Sequence, residues 1–289
     1  MQRHSPTVRQ RRLARELRRL REAAGLRTLE VTQTLDWSVA KLSRIETGQI
    51  RAHWGDVADL LDHYGVAVPE REALIALARD ARQRSWWSAY SDVLSNTYVD
   101  LETEASAVRM WCPQLVPDLL QTESYARSVL LATHPTAGAE ERRRRTEALQ
   151  LRQENLERSP ALQVHAILDE AVLQRMVDSP ETHRAQLAYL RTAVALDNVS
   201  LRVLPFTTGA HAGIDGAFTI LSFANERDPD VVYVSSGETE IFLETSNEVA
   251  RHRQRLAAIT DSTATEQDST DLLGQYIQHV ETREEVTLR

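Results

Sequence analysis

The sequence predicts an all-α N-terminal helix-turn-helix bundle followed by an α+β C-terminal domain. Two observations predict this fold class. Apolar residues recur at helical spacing as far as about residue 84, and helical segments mix with alternating, β-branched segments beyond residue 97. A third observation, a change in the sign of the charge, separates the two parts. We therefore predict a first domain at 1–84, a junction at 85–97 and a second domain at 98–289.

The charge is divided unevenly along the chain. The whole sequence has a formal net charge of −8, from 34 Lys and Arg residues and 42 Asp and Glu residues. Residues 1–55 hold 12 of the basic residues and 5 of the acidic ones, a net of +7, which leaves −15 on residues 56–289. A basic module on an acidic body predicts that a polyanion is bound through the first domain alone.

Composition excludes several classes of protein. The apolar runs are much shorter than the ~20 residues of a membrane-spanning helix. The polar, basic residues 1–10 do not resemble a secretion signal. We therefore expect a cytoplasmic protein without membrane contact. Cys112 is the only cysteine, which excludes an intrachain disulfide and a cysteine-cluster metal site. We predict no metal and no cofactor.

Five helices are predicted in the first domain. The first carries inward-facing leucines at three- and four-residue spacing and stops at Gly25. Thr28 and Ser38 are predicted to cap the second and third helices, and Gly65 ends the fourth. The predicted segments are 8–24, 28–35, 38–46, 54–64 and a fifth helix after Pro69.

The second and third helices, joined by a turn at Asp36 and Trp37, have the pattern of a helix-turn-helix. Apolar residues on both sides of the turn are predicted to face inward and fix the angle between the helices. The opposite face of the third helix is then available to a DNA major groove, which is wide enough for one α-helix. The residues predicted to face inward are Leu29, Leu35, Leu42 and Ile45.

Residues 38–48, Ser-Val-Ala-Lys-Leu-Ser-Arg-Ile-Glu-Thr-Gly, resemble the recognition helix and closing Ile-Glu-x-Gly of xenobiotic-response-element type regulators. This is the family of the phage lambda and 434 repressors. The turn position, usually Gly, is Asp36 here, and Thr32 stands where a small residue is usual. Asp can adopt the left-handed turn conformation at modest cost, and Thr can pack in the helix.

The resemblance implies a double-stranded DNA operator as the partner. It implies base contacts by residues of the third helix, with the basic side chains reaching guanine and the apolar ones a thymine methyl. Hydroxyl and arginine side chains nearby are implied to contact phosphate. The implied base contacts are Val39, Ala40, Lys41 and Arg44, and the implied phosphate contacts are Thr28, Ser43 and Arg51. One module buries little DNA surface, so we also expect a homodimer on two half-sites.

The second domain is predicted to contain a small, largely antiparallel sheet. Strands are predicted at 161–168, 200–204, 218–223, 231–234 and 240–243. Helices are predicted at 122–133, 139–158, 170–177, 181–197, 246–260 and 269–280.

Four blocks of the second domain, residues 111–126, 168–173, 203–206 and 209–218, resemble successive blocks of the actinobacterial WhiJ-like regulators. That resemblance implies an antitoxin-like regulator, often encoded beside a small partner protein. We predict that this partner binds the exposed edges of strands 231–234 and 240–243, which end in Glu238, Glu240 and Glu244. The alternative is that these acidic residues only solvate and blunt the edge of the sheet.

Two alternatives remain open for the second domain. One is a sensor that holds a small-molecule effector between its sheet and its helices. The other is a cryptic hydrolase that uses an acid/base pair from His165, Asp169, Glu170, His211 and Asp215. No nucleophile elbow, phosphate-binding loop or metal-spaced histidine motif accompanies these residues, so we expect no enzyme.

Overall fold

The computed structural model describes residues 8–81, 86–225, 228–237 and 239–287. The chain forms two compact units, which meet along the sequence between Ala89 and Tyr90. The first is all-α and the second is α+β, so the predicted fold class is confirmed. The limits 1–84 and 98–289 stay predictions, and residues 1–7 and 82–85 and the predicted partner contact Glu238 lie outside the described residues.

The N-terminal unit contains the five predicted helices. They pack around leucine, isoleucine and valine side chains such as Leu17, Leu42 and Val57, which are fully buried. Burial of this apolar surface is the main force that holds five short helices together, since helices of this length are marginal by themselves. The helices are α1 (Val8–Ala23), α2 (Thr28–Thr34), α3 (Val39–Glu46), α4 (Trp54–His63) and α5 (Val68–Asp80).

Positive φ angles end the helices where the sequence predicts stops. Gly25 has φ of 72° and Gly65 has φ of 71°, a conformation that glycine adopts without a steric cost. Asp36, at the turn between α2 and α3, has φ of 55° and is the one non-glycine residue with positive φ among the described residues. The prediction that Asp36 adopts the left-handed conformation is therefore confirmed.

Two predictions about α2 are wrong. Thr28 is the first residue inside the helix, and the N-cap is Arg27, whose backbone N–H donates to the Glu30 carboxylate at 2.8 Å. Leu29 is 58% exposed, whereas Val31 is fully buried. Two residues correspond to about 200° around a helix axis, so a helix that buries Val31 turns Leu29 to solvent.

The C-terminal unit is built on one six-stranded mixed sheet. Its strands are β1 (Ala107–Cys112), β2 (Gln163–Asp169), β3 (Val199–Leu204), β4 (Phe218–Ser222), β5 (Val231–Ser236) and β6 (Thr239–Leu243), in the order β3-β2-β1-β4-β5-β6. The pairs β1–β2 and β2–β3 are parallel, and the other three pairs are antiparallel. The prediction of a largely antiparallel sheet is therefore corrected to a mixed one.

Strand β1 was not predicted, although it lies at the centre of the sheet. Both of its faces are covered, so its sequence lacks the apolar and polar alternation that marks a half-exposed strand.

The prediction that 231–234 is an exposed edge is also wrong. Val231 pairs with Leu221 of β4, and Val232 pairs with Leu243 of β6, so β5 is an internal strand and only β6 ends the sheet on that side.

Seven α-helices of the C-terminal unit are described: α6 (Asn96–Glu104), α7 (Glu123–Thr133), α8 (Ala139–Gln153), α9 (Glu170–Gln174), α10 (Pro180–Ala193), α11 (Ser246–Asp261) and α12 (Glu266–Thr287). Of these, α6 was not predicted.

One sheet face, with Trp111 and Phe218, packs against Leu256 and Ile259 of α11. At the β3 edge, the Val203 N–H donates to Ser269 Oγ of α12 at 2.9 Å, so α12 supplies an acceptor that a further strand would otherwise provide. Among the described residues, no helix has both the length and the apolarity to cross a membrane.

Candidate nucleic-acid interface

Helix α3 is started and oriented by local contacts. Ser38 is its N-cap, as predicted, and Ser38 Oγ accepts a hydrogen bond from the Lys41 N–H at 3.1 Å. Leu42 and Ile45, at 0% and 2% exposure, hold one side of the helix in the core. Because they lie three residues apart on the same face, the opposite face of α3 points away from the bundle.

Two side chains of α1 hold the carboxyl end of α3. Arg21 Nε and Nη2 donate to the two oxygens of Glu46 at 2.7 and 3.0 Å, and Arg21 Nη1 donates to the Leu26 carbonyl at 2.9 Å. The hydrogen bond with Glu46 raises the pKa of Arg21. Gln10 Nε2 donates to the Gly48 carbonyl at 2.6 Å. A buried, bidentate ion pair fixes both the position and the rotation of a helix, so α3 is held rigidly.

Three of the four residues predicted to contact bases lie on the exposed face of α3. Val39 is 51% exposed, and Ala40 and Arg44 are also exposed. Arg44 Nε donates to the Ala40 carbonyl at 3.2 Å, so the arginine side chain lies along this face of the helix. An exposed valine is available for contact with a thymine methyl.

Lys41, the fourth, is held to one side. Its ammonium lies 2.7 Å from Asp56 Oδ1 of α4 and 3.6 Å from the centroid of the Trp37 ring. An ion pair exposed to this extent is typically worth about 0.2–1 kcal/mol. A bidentate contact with guanine gives about 1–3 kcal/mol of discrimination between bases, so the pair with Asp56 is weak on the same scale. The sequence did not indicate this pair, because Asp56 lies fifteen residues further along the chain.

The predicted phosphate contacts lie on three different parts of the N-terminal unit. Ser43 is exposed on α3 itself, on the same side as Ala40 and Arg44. Thr28 is half-buried at the first residue of α2, and Arg51 is exposed in the segment between α3 and α4. His53, which the sequence analysis did not single out, is exposed at the N-cap of α4, and its Nδ1 accepts from the Gly55 N–H at 3.1 Å.

Of the residues considered for a cryptic hydrolase, His211 and Asp169 lie near each other, whereas His165, Glu170 and Asp215 contact other groups of the C-terminal unit. His165 Nδ1 lies 2.8 Å from Ser200 Oγ, whereas His211 Nε2 lies 3.9 Å from Asp169 Oδ2. Asp169 also caps α9 by accepting from the Ala171 N–H. The remaining two candidates make other contacts: Glu170 accepts from the Phe206 N–H and the Tyr276 hydroxyl, and Asp215 lies 3.7 Å from Arg255.

Glu240, one of the acidic residues predicted to contact a partner protein, already has hydrogen-bond partners within the C-terminal unit. Glu240 Oε2 accepts from Ser95 Oγ at 2.6 Å, and Glu240 Oε1 accepts from the Tyr233 hydroxyl at 2.8 Å. Both carboxylate oxygens are therefore engaged within the unit. Ile241, the next residue of β6, is 47% exposed.

Two family models match this chain. A helix-turn-helix domain model matches residues 12–74, and a model described as a domain of unknown function, DUF5753, matches residues 95–275. The first match and the geometry of α2 and α3 define a DNA-binding regulator of the helix-turn-helix class. The second match covers more than half of the sequence, and the chain belongs to the DUF5753 family. No curated protein and no solved structure matches the chain.

Proposed function

We propose that this protein binds a specific DNA operator by inserting α3 into the major groove. The observation that carries the proposal is the exposed face with Val39, Ala40 and Arg44, on a helix that Arg21 and Glu46 hold in place. Specific recognition requires side chains in a fixed register against base edges, and a rigid helix provides that register. In the proposed complex, Arg44 contacts guanine and Val39 or Ala40 contacts a thymine methyl.

Phosphate contacts by Thr28, Ser43 and Arg51 position the module in this proposal, with Lys41 joining the base contacts once it leaves Asp56. The net charge of +7 on residues 1–55 supports the approach to DNA. We also propose a homodimer, because two modules on half-sites about 34–36 Å apart would give the specificity that one module lacks. A cytoplasmic location follows from operator binding in this proposal.

We propose that the C-terminal unit receives the regulatory signal, and a small-molecule effector is the form of signal that its cavities favour. One cavity of about 460 Å³ lies where β1 and β5 end and β4 and β6 begin. That volume is within the range of small-molecule sites, and the carboxyl ends of strands at a change in sheet order are a common place for them.

A small partner protein, as in the antitoxin-like WhiJ-like group, is our second proposal for this signal. The exposed Ile241 on edge strand β6 supports it. Since β5 is internal and Glu240 is engaged with Ser95 and Tyr233, the proposed contact is limited to β6. We propose no catalytic role, because His165 contacts the neutral Ser200 hydroxyl, and Asp169, which lies 3.9 Å from His211, caps α9.

Operator binding is tested by selecting sequences from a random DNA pool with the full-length protein. The most enriched sequence is then footprinted. We expect one enriched motif, arranged as two half-sites. A matched selection with Arg44→Ala should lose preference at one position of each half-site, whereas Arg191→Ala, an exposed arginine of α10, should select the original motif. Failure of the unaltered protein to enrich any motif would reject the proposal.

A further inference from the structure

Three basic side chains lie next to one another on one face of the sheet. In the parallel register of β1, β2 and β3, Arg109 lies opposite His165, and His165 lies opposite Ser200. Arg202 is two residues further along β3 and so faces the same side. Adjacent strands are about 4.8 Å apart, so the two arginines, with β2 between them, are separated by about two strand spacings. Two guanidinium charges on one partly covered face attract negative charge.

The described residues of the protein supply little of that negative charge. Arg109 Nη1 donates to the neutral hydroxyl of Ser222 at 3.0 Å, and Arg109 forms no ion pair with any carboxylate among the described residues. Among the described residues that line this face, Glu266 is the one carboxylate. Its Oε1 lies 3.7 Å from Arg202 Nε. That distance is too long for a hydrogen bond, and the Glu266 side chain is 59% exposed.

The basic groups also line a cavity. Its volume is about 230 Å³, and it lies between this face of the sheet and helices α11 and α12. Burial, and then the charge of Arg109, lower the pKa of His165, so the imidazole is largely neutral near pH 7 in the unliganded protein. Ile167 and Leu256, which are both largely buried, form an apolar part of the wall. We call this cavity the basic cavity.

We propose that the basic cavity binds a small organic anion, whose carboxylate or phosphate group is held by Arg109 and Arg202. The planar guanidinium group matches the oxygens of both kinds of anion, and an arginine with no carboxylate partner has donors to offer. His165 supplies a further polar contact, and Ile167 and Leu256 accommodate a short apolar body. The volume restricts the ligand to a small metabolite, below the usual size of a drug-like molecule.

The larger cavity, of about 460 Å³, differs in this respect. Arg152 of that cavity donates to both oxygens of Glu102 at 2.8 and 2.9 Å and to Asp118 at 2.9 Å. Its charge is therefore neutralised within the protein. In the basic cavity, by contrast, an anionic ligand would balance arginine charge that the protein itself leaves largely unneutralised.

A regulatory role for this site rests on the proposed function, whereas anion binding by itself does not. The binding experiment is therefore carried out without DNA, so that its failure is distinct from a failure of operator binding. The full-length protein is unfolded thermally in increasing concentrations of inorganic phosphate or of succinate, with sodium chloride at the same ionic strength as the control. We expect at least one of the two anions to raise the Tm, in a saturable way, beyond the effect of chloride.

Arg109→Gln should weaken the binding of that anion by about tenfold or more, since it removes a charge-assisted contact. Without ligand, the Tm of this variant should be unchanged or higher, because the variant removes a partly buried charge whose hydrogen-bond partner is the neutral Ser222 hydroxyl. Arg191→Gln, an exposed arginine of α10 outside the cavity, should respond like the unaltered protein. A merely structural role for Arg109 predicts instead a lower Tm in the absence of ligand.

Two results would overturn the proposal. One is a Tm that phosphate and succinate raise no more than chloride does. The other is an unaltered response in the arginine variants of the cavity. If Arg109→Gln does not fold, Arg202→Gln gives the same test at a side chain that is 36% exposed and therefore tolerant of change. A response to phosphate alone, or to succinate alone, supports the proposal and identifies the anionic group.

Discussion

Trp111 and Gly213 are in contact so close that only glycine fits. Trp111 Nε1 donates to the Gly213 carbonyl at 2.9 Å, and the indole is fully buried. A Cβ atom added at Gly213 would lie 2.5 Å from Cε2 of the indole ring. Since Trp111 belongs to the central strand β1, the loop that contains Gly213 is held against the middle of the sheet.

We therefore expect Gly213→Ala to destabilise the protein by about 1–3 kcal/mol, the usual cost of overpacking a core. The measurement is urea denaturation followed by tryptophan fluorescence. Gly274→Ala is the matched control, because Gly274 lies within α12 and a Cβ there has no atom within 4 Å. That control should gain up to about 1 kcal/mol from helix propensity. Equal stability of the two variants would contradict a close contact between Trp111 and Gly213.

The ion pair between Arg21 and Glu46 should be essential to the stability of the N-terminal unit. The two side chains are 10% and 7% exposed, so Arg21→Gln leaves a buried carboxylate without its partner. We expect a loss of about 3 kcal/mol in the free energy of unfolding. The double variant Arg21→Met with Glu46→Leu should recover part of that loss, because neither charge then remains buried.

Arg18→Gln is the control for this prediction, since Arg18 lies on the same helix in an exposed pair with Glu22. Its effect on unfolding should be negligible. An Arg21→Gln variant as stable as Arg18→Gln would mean that the pair does not hold α3. Circular dichroism at 222 nm during thermal unfolding follows all three variants.

Arg44 and Arg51 should affect DNA binding in different ways. Arg44 lies on the exposed face of α3, so Arg44→Ala should cost about 1–3 kcal/mol on the selected operator and relax the sequence preference. Arg51 lies beyond that helix, and Arg51→Ala should weaken operator and random DNA alike and lower the salt slope by about 1. Fluorescence anisotropy at several salt concentrations measures both quantities. Similar losses for both variants on both DNAs would contradict these roles.

Cys112 should be unreactive in the folded protein. Burial raises the pKa of its thiol to about 12, so very little of the thiol is the reactive thiolate at pH 9. Alkylation by iodoacetamide should therefore be slow in the native protein and fast in 8 M urea. Because the folded state holds a proton that the unfolded state releases, Cys112 also makes stability fall as the pH rises from about 9 towards 12. Rapid labelling under native conditions would show that the thiol is accessible and ionised.

Local patterns in the sequence determined much of the N-terminal unit. Helical spacing predicted α1, α3, α4 and α5, and the cap at Ser38 and the stops at Gly25 and Gly65 were confirmed, because each depends on residues within one or two turns. The turn at Asp36 and the exposed positions of α3 followed from the same short stretch. Caps, turns and amphipathic faces are short-range properties, which a single sequence carries in full.

Contacts between distant residues were decided only by the tertiary structure. Strand β1 escaped prediction because both of its faces are buried, and the true inward face of α2 depends on how it packs in the bundle. Asp56 holds Lys41 across fifteen residues, and Arg109, His165 and Arg202 meet only through the register of three parallel strands. Parallel strands are joined by long connections, so the residues that face one another across them leave no local pattern in the sequence.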